Sequence, residues 1–413
     1  MGFVNWMDKV DGRALTVLQK ATNQGTRLFN ERLVLKVIYD RSPTSRADVA
    51  RATGLTRTTV SAVVEQLIRT GLTEEVGPGP STGGKAPILL RVPDEARHLI
   101  GVDVGDGRIS GAIVDLRGHV RHESQVPLDG RDGEQALSRI EDLLDRLVAA
   151  TDRPLLGIGL GTPGFIDTAT GTVRWAVNLD WRDLPLGARL QERYRLPVYV
   201  ANDSHAAALA EFAFGHHGSN NMLVVKVGQG IGAGLVLDGK LYQGARSGAG
   251  EIGHTAVADN PRLCRCGRTG CLETIATTHA VVQRARELAP DATGSVLHSP
   301  GDPDEITFVR LVSAFDAHDG LACEVVLDAA RHLGRTIGAL IGSLDISHVI
   351  LVGAMTVLGD TWLAAIRGEA QRSALTMLVD STRVEIGKLT PNIVVLGSAA
   401  LLMTRELGLS PAA

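Results

Sequence analysis

Sulfur and aromatic residues are scarce in this chain, and no charge sign dominates. Four cysteines among 413 residues do not make a disulfide framework, and a reducing compartment fits. Aromatic residues make up 4% against 44% hydrophobic, so the core must be built from small aliphatic side chains. No apolar run approaches the roughly 18 residues of a membrane span. The N-terminus has no secretory hydrophobic segment, which predicts a cytoplasmic address. A net charge of −4 argues against indiscriminate nucleic-acid binding by the whole chain. Glycine, by contrast, is abundant at 47 residues, which implies many tight turns or close backbone approaches. The length predicts two or three domains.

The charge is unevenly spread. Residues 1–97 carry 14 Lys and Arg against 10 Asp and Glu, a net of +4, while the remainder carries 28 against 36, a net of −8. A basic head on an acidic body suggests a nucleic-acid module joined to something else. Residues 1–25 show no period and read as an arm. A helix is predicted from about Thr26, with Val34, Val37 and Ile38 inward, ending before Pro43. Ser45 and Asp48 form a capping-box start to a second helix that stops at Gly54. Thr56 caps a third, with Val60, Val64, Leu67 and Ile68 inward. Two short helices joined by Thr53-Gly54-Leu55-Thr56 match helix-turn-helix geometry. The third helix would offer Arg57, Thr58, Thr59 and Ser61, beside its cap Thr56, to a major groove, with Ser45 and Arg46 near phosphates. Strand 72–76, a glycine-rich loop and strand 88–90 read as a wing, with Lys85 at its tip. The DNA-binding domain is thus placed at 26–92 and the body at 99–413, joined by a short linker over 93–98.

The body repeats one unit. Ile100-Gly101-Val102-Asp103-Val104-Gly105-Asp106-Gly107 runs into a strand over 109–115, and 123 residues later strand 223–227 leads through Gly228-Gln229-Gly230-Ile231-Gly232 into 233–238. The duplication predicts two similar lobes whose hairpin amides line a cleft and could clamp phosphates. Strand 155–160 precedes Gly161-Thr162-Pro163-Gly164, and strand 198–201 delivers Asn202-Asp203 to a helix running to about Phe214. Residues just past a strand end sit in the ligand crevice of an α/β sheet. Asp203 there could accept from a hydroxyl or act as a base, and Asn-Asp before a helix is equally an ordinary cap. Strand 349–352 meets Gly353-Ala354, and Ser398-Ala399-Ala400 begins a last packing helix.

The densest motif is His254-x9-Cys264-x-Cys266-x4-Cys271, between Glu251 and Glu273. Three thiolates and an imidazole at this spacing suit a closed tetrahedral Zn²⁺ site over 251–273, or another metal that favours soft ligands.

Together these residues resemble the ROK family, which groups sugar-responsive repressors with sugar kinases. The resemblance runs from about Thr26 to Leu409. It rests on Gly250-Glu251-Ile252-Gly253-His254, the cysteine segment through Glu273, Pro163-Gly164, Asn178-Leu179-x-Trp181, Asn202-Asp203, Ala207-Ala208 and Ala210-Glu211. The head, through Ser45-Arg46-Ala47, Thr53-Gly54-Leu55 and Gly83-Gly84-Lys85-x-Pro87, is similar to the winged helix of the family's repressors. The resemblance implies an α/β chain: an N-terminal winged helix-turn-helix followed by a two-lobed actin-like ATPase (ribonuclease-H-like) domain. It also implies that Asn202, Asp203, Glu251, His254 and Glu273 contact a sugar, that Asp203 is the base in a kinase, and that zinc on His254, Cys264, Cys266 and Cys271 is structural.

The departures separate the functions. Family kinases carry Asp-x-Gly-Gly-Thr in the first hairpin; here Asp106 replaces a glycine and Gly107 the threonine. Gln229 stands where threonine is usual, and Gly353-Ala354 replaces Gly-Gly. A carboxylate near phosphates repels them by ~1 kcal/mol in water-like dielectric and by more in a cleft. The expected function is a sugar-responsive transcriptional repressor of carbohydrate-metabolism genes, binding double-stranded operator DNA as a homodimer or tetramer. The alternatives are an ATP-dependent sugar kinase that also binds DNA, and a regulator controlled by a protein partner.

Overall fold

The structure, a computed structural model, describes residues 23–80, 86–105, 107–257, 260–298, 305–389 and 391–409. Most of the predicted arm, the wing tip with Lys85, and Asp106 lie outside these residues. The chain divides into two compact units, Met1–Val92 and Pro93–Ala413.

In the first unit α1 (Asn23–Asp40) is followed by β1 (Thr44–Ser45), α2 (Arg46–Thr53), α3 (Arg57–Arg69), β2 (Glu74–Pro78) and β3 (Ile88–Arg91). The strands form an antiparallel sheet in the order β1-β3-β2. Both predicted caps form. The Asp48 amide donates to Ser45 Oγ at 3.2 Å and the Ser45 amide to Asp48 Oδ2 at 3.3 Å, which starts α2. The Thr59 amide donates to Thr56 Oγ1 at 3.2 Å, which starts α3. Such a cap contributes about 1 kcal/mol. Val34, Ile38, Val60, Val64, Leu67 and Leu90 are fully buried between the helices and the sheet. Val37 and Ile68 are only half-buried, at the edge of the apolar stripe.

The second unit begins earlier than the predicted linker allows. Residues 93–98 hold one 3-10 turn fixed to the body: the Leu116 amide donates to Asp94 O at 3.0 Å, and Arg153 pairs with Glu95 at 3.3 Å. The first lobe contains β4 (His98–Gly105), β5 (Arg108–Val114), β6 (Val120–Pro127), α4 (Gly133–Ala149), β7 (Leu155–Thr162), the ribbon β8 (Phe165–Asp167), β9 (Thr172–Ala176) and β10 (Trp181–Leu184), then α5 (Leu186–Tyr194), β11 (Val198–Asn202) and α6 (Asp203–Phe214). The second lobe contains β12 (Met222–Val227), β13 (Ile231–Leu237), β14 (Lys240–Tyr242), α7 (Glu273–Ala276), α8 (Thr278–Leu288), α9 (Phe308–Asp316), α10 (Gly320–Leu344), β15 (His348–Val352), α11 (Gly359–Ser373), α12 (Thr376–Asp380) and β16 (Arg383–Ile386). The chain ends on α13 (Ile393–Leu407), which starts before the predicted Ser398 because the apolar run from Ile393 is already buried.

The predicted duplication is visible in the sheets. Their orders are β6-β5-β4-β7-β11 and β14-β13-β12-β15-β16, with three antiparallel strands and two parallel ones in each. Each lobe has its own aliphatic core, with α4 in the first and α10 and α11 in the second. Helix α13 packs back on the first lobe, where glycine lets backbones touch. A Cβ at Gly159 would lie 2.1 Å from Ser398 O, and one at Gly397 1.7 Å from Ala206 O.

Candidate functional site

Strand β11 ends on Asn202 and α6 opens on Asp203, at the cleft end of the parallel strands. Asn202 is the helix cap. Its Oδ1 accepts from the Ser204 and His205 amides at 2.9 and 3.4 Å, while Nδ2 donates to Gly164 O at 3.0 Å and ties down the Pro163-Gly164 turn. Asp203 has a different partner, which sequence reasoning missed. Lys226 Nζ donates to its Oδ2 at 2.8 Å, and the Ser204 amide donates to Oδ1 at 2.8 Å. Burial pushes the Asp203 carboxyl up, but the Lys226 ammonium and the hydrogen bonds from Ser204 together outweigh it and hold the group below the usual carboxylate range. The available signal was Lys226 itself, the sole charge in the apolar strand Met222–Val227. A buried charge needs a partner.

Glu251, His254 and Glu273 converge on the second lobe. His254 Nε2 lies 3.9 Å from Glu251 Oε2, and its Nδ1 lies 3.9 Å from Glu273 Oε2. Glu273 Oε1 accepts from the Ile231 amide at 2.8 Å, which seats it against the second hairpin. Burial pushes the Glu251 carboxyl up, His254 opposes this, and the Asp203 and Glu273 carboxylates add to the rise. With Asp203 on α6, Glu251 and His254 on one 3-10 turn and Glu273 on α7, these four side chains form an acidic cluster suited to a polyhydroxylated ligand.

The knot itself is compact. His254, Cys264, Cys266 and Cys271 bring their donor atoms within 4.8 Å of one another. His254 Nδ1 is 3.7 Å from Cys264 Sγ, and Cys266 Sγ is 3.7 Å from Cys271 Sγ. A tetrahedron with metal–sulfur bonds of about 2.3 Å has edges of ~3.8 Å, so the donor set fits a tetrahedral metal and excludes a disulfide. Burial and the adjacent sulfurs push the Cys271 thiol up to about 12, so a neighbouring cation is what would let it ionise. With Nδ1 turned to the sulfurs and to Glu273, Nε2 of His254 faces Glu251.

Contacts between the lobes tie the ribbon to the knot and to the segment after β14. Arg265 Nη1 donates to Asn178 Oδ1 at 3.0 Å, and Thr168 Oγ1 donates to Gln243 Oε1 at 3.2 Å. Trp181 serves the core: it is 3% exposed, and its Nε1 donates to Gly133 O at 2.9 Å. On the hairpin side, Gly107 and Gln229 are exposed. Gly353 approaches protein backbone, since a Cβ there would lie 2.6 Å from Val227 O.

In the first unit Arg57 and Thr58 are exposed at the start of α3, with Thr59 and Ser61 half-buried beside them. Arg46 pairs with Glu75 at 2.8 Å. Ser45 departs from its expected place near phosphates. It is 4% exposed and its Oγ donates to Asp48 Oδ2 at 2.6 Å, so the capping box uses its hydroxyl.

Two ribonuclease-H-like lobes with an acidic, knot-backed crevice define the class: an actin-like sugar-kinase body carrying an additional N-terminal unit. A model of the ROK family matches residues 99–405, and the chain belongs to that family. It is 32% identical to the xylose repressor of Caldicellulosiruptor bescii over 384 residues, 92% of this chain and 96% of that one. It is 35% identical to the glucokinase of Halalkalibacterium halodurans over 317 residues, 75% of this chain and 96% of the enzyme. The structure of a ROK-family transcriptional regulator, a homolog of the E. coli MLC protein, matches with TM-score 0.82 at 24% identity, covering 93% of this chain and 97% of that one.

Proposed function

We infer that this chain is a DNA-binding transcriptional repressor of carbohydrate-metabolism genes, with a sugar or sugar derivative as effector. The observation that carries this reading is coverage. The repressor match takes in 92% of the chain, whereas a glucokinase matched over 96% of its own length leaves about a quarter of this chain without a counterpart. The head supports a winged helix-turn-helix, with α2 and α3 joined at Gly54 and the β2–β3 pair as the wing. Operator contacts are assigned to Arg46, Thr56, Arg57, Thr58, Thr59, Ser61 and Lys85, and Ser45 is withdrawn to its capping role. Two such heads in a homodimer would read a two-fold operator.

Effector contacts are assigned to Asp203, Glu251, His254 and Glu273. Asn202 contributes the one Nδ2 hydrogen that Gly164 does not use. The metal of the knot is assigned as zinc on His254, Cys264, Cys266 and Cys271. When bound it supplies structural cross-linking, which orients His254 toward the ligand. Sugar binding would act on DNA affinity through the difference in sugar affinity between the DNA-competent and DNA-incompetent states.

Retention of Asp103 and Asp203 is what favours the kinase reading. Against it, a carboxylate held by an ammonium is a poor proton acceptor. The deciding experiment is a thermal-shift screen of monosaccharides with and without ATP, followed by anisotropy on DNA from upstream of the chain's own gene. The repressor reading expects a sugar that raises Tm without ATP and weakens DNA binding. Sugar-dependent ADP release that vanishes in Asp203→Asn would overturn it.

A further inference from the structure

A second cluster of metal-binding side chains lies away from the knot. His217 follows α6, His348 opens β15, Glu385 lies on the adjacent β16, and Glu211 is on α6 itself. His217, His348 and Glu385 each offer a donor atom within 4.8 Å of the others. Glu385 Oε1 is 2.8 Å from His348 Nε2 and 3.4 Å from His217 Nδ1. Its other oxygen is held by Arg383 at 2.5 Å, which leaves Oε1 turned to the two imidazoles.

The remaining contacts match what a metal needs behind its ligands. His217 Nε2 is 2.7 Å from Glu211 Oε2. With Nε2 on that carboxylate, Nδ1 on the ring's other side is turned to Glu385 Oε1. Metal-ligating histidines typically donate their second ring N–H to a carboxylate, which fixes tautomer and orientation. Glu211 is 1% exposed, and its Oε1 has no hydrogen-bond partner among the described residues. A buried carboxyl oxygen without a hydrogen-bond partner, beside a single imidazole, is a costly arrangement. Two imidazoles and one carboxylate suit Zn²⁺ or a neighbouring first-row divalent ion with a free coordination position.

We propose that His217, His348 and Glu385 form a second transition-metal site, oriented by Glu211, where the segment leaving α6 meets the sheet of the second lobe. Asp203 stands at the opposite end of the same helix, so the metal would brace the connection between the lobes behind the sugar crevice.

The test is Co²⁺ titration of the metal-free full-length chain. Cobalt on the cysteine knot gives intense sulfur-to-metal charge-transfer absorption, whereas cobalt on nitrogen and oxygen gives only weak ligand-field bands. The expected result is two classes of about one equivalent each. In His348→Gln and Glu385→Gln the weak-band class alone should bind at least about tenfold more weakly. Zinc content after dialysis should fall from about two per chain to about one in the same variants. Saturation of the wild type by the thiolate class alone overturns the proposal, as does a second class unchanged in the variants. If His348→Gln also loses the thiolate band, it has misfolded, and the isosteric Glu385→Gln then decides.

Discussion

The two lobes of the body follow the same five-strand course and differ in what interrupts it. In the first lobe the ribbon β8–β10 and α5 fill the interval between β7 and β11; in the second, the cysteine knot follows β14. The shared sheets supply scaffold and strand ends. The side chains proposed to act sit on the interruptions and at one strand end: Glu251, His254 and Glu273 at the knot, and Asp203 after β11, with Asn178 on the ribbon bonded to Arg265 of the knot. A duplicated framework thus became asymmetric through its insertions, in keeping with function residing in sites grafted on folds. The asymmetry extends to packing, because the last helix returns to the first lobe.

If the second lobe depends on its knot, the largest effect should come from removing the metal. Structural zinc contributes about 10 kcal/mol or more in small domains. Cys264→Ser with Cys266→Ser, or prolonged chelation, should therefore abolish sugar-induced stabilisation and lower the calorimetric Tm. An unchanged Tm would mean that the knot is ornamental and the lobes are equivalent.

The first lobe has its own point of failure. Gly159→Val would drive a side chain into Ser398 O, 2.1 Å from the first added carbon. Overpacking at such a contact destabilises by about 1–3 kcal/mol or more, measurable by urea denaturation. The same change at Gly320 in the second lobe, exposed, without a positive φ and with nothing within 4 Å of an added Cβ, should move the midpoint far less.

The Lys226–Asp203 pair is a weaker and pH-dependent link between the lobes. Asp203 is held below its ordinary pKa, so its contribution is present above the unfolded value and fades as pH falls through the folded one. In Lys226→Met burial would dominate and raise that pKa, which reverses the slope. The variant should be about 1–3 kcal/mol less stable near neutrality, and the gap should close as pH falls toward about 4. A gap independent of pH would show that the loss is one of packing, not of charge.

The smallest effect belongs to the inter-lobe bond between Arg265 and Asn178, 3.0 Å long and exposed. Asn178→Ala should change stability by only about 0.5–1.5 kcal/mol but loosen the register of the two insertions, seen as faster hydrogen exchange around 176–181 and 264–268. Unchanged exchange would mean that ribbon and knot are independent.

Much of this was legible in the chain because it is local. The Ser45–Asp48 capping box, the cap at Thr56, the two glycine hairpins and the cysteine knot each lie within a few to twenty residues of sequence, where spacing dictates geometry. Other features were misplaced. The stretch from Pro93 to His98 reads as linker by composition, yet backbone and ion-pair contacts fix it to the body. Ser45 has the chemistry to meet a phosphate, and its own helix uses the hydroxyl first.

What the sequence determined by itself is which stretches form strands and helices, which faces are apolar, and where thiolates and turn glycines cluster. Tertiary structure alone decided that Lys226 meets Asp203, that Arg265 reaches Asn178, that His217 and His348 share Glu385, and that Ser398 on the last helix donates to Val102 O, 296 residues away. The physical reason is that periodicity tells a chain which side of an element to bury. Which other element covers that side depends on the closure of the whole sheet, and a partner across it leaves no spacing to read.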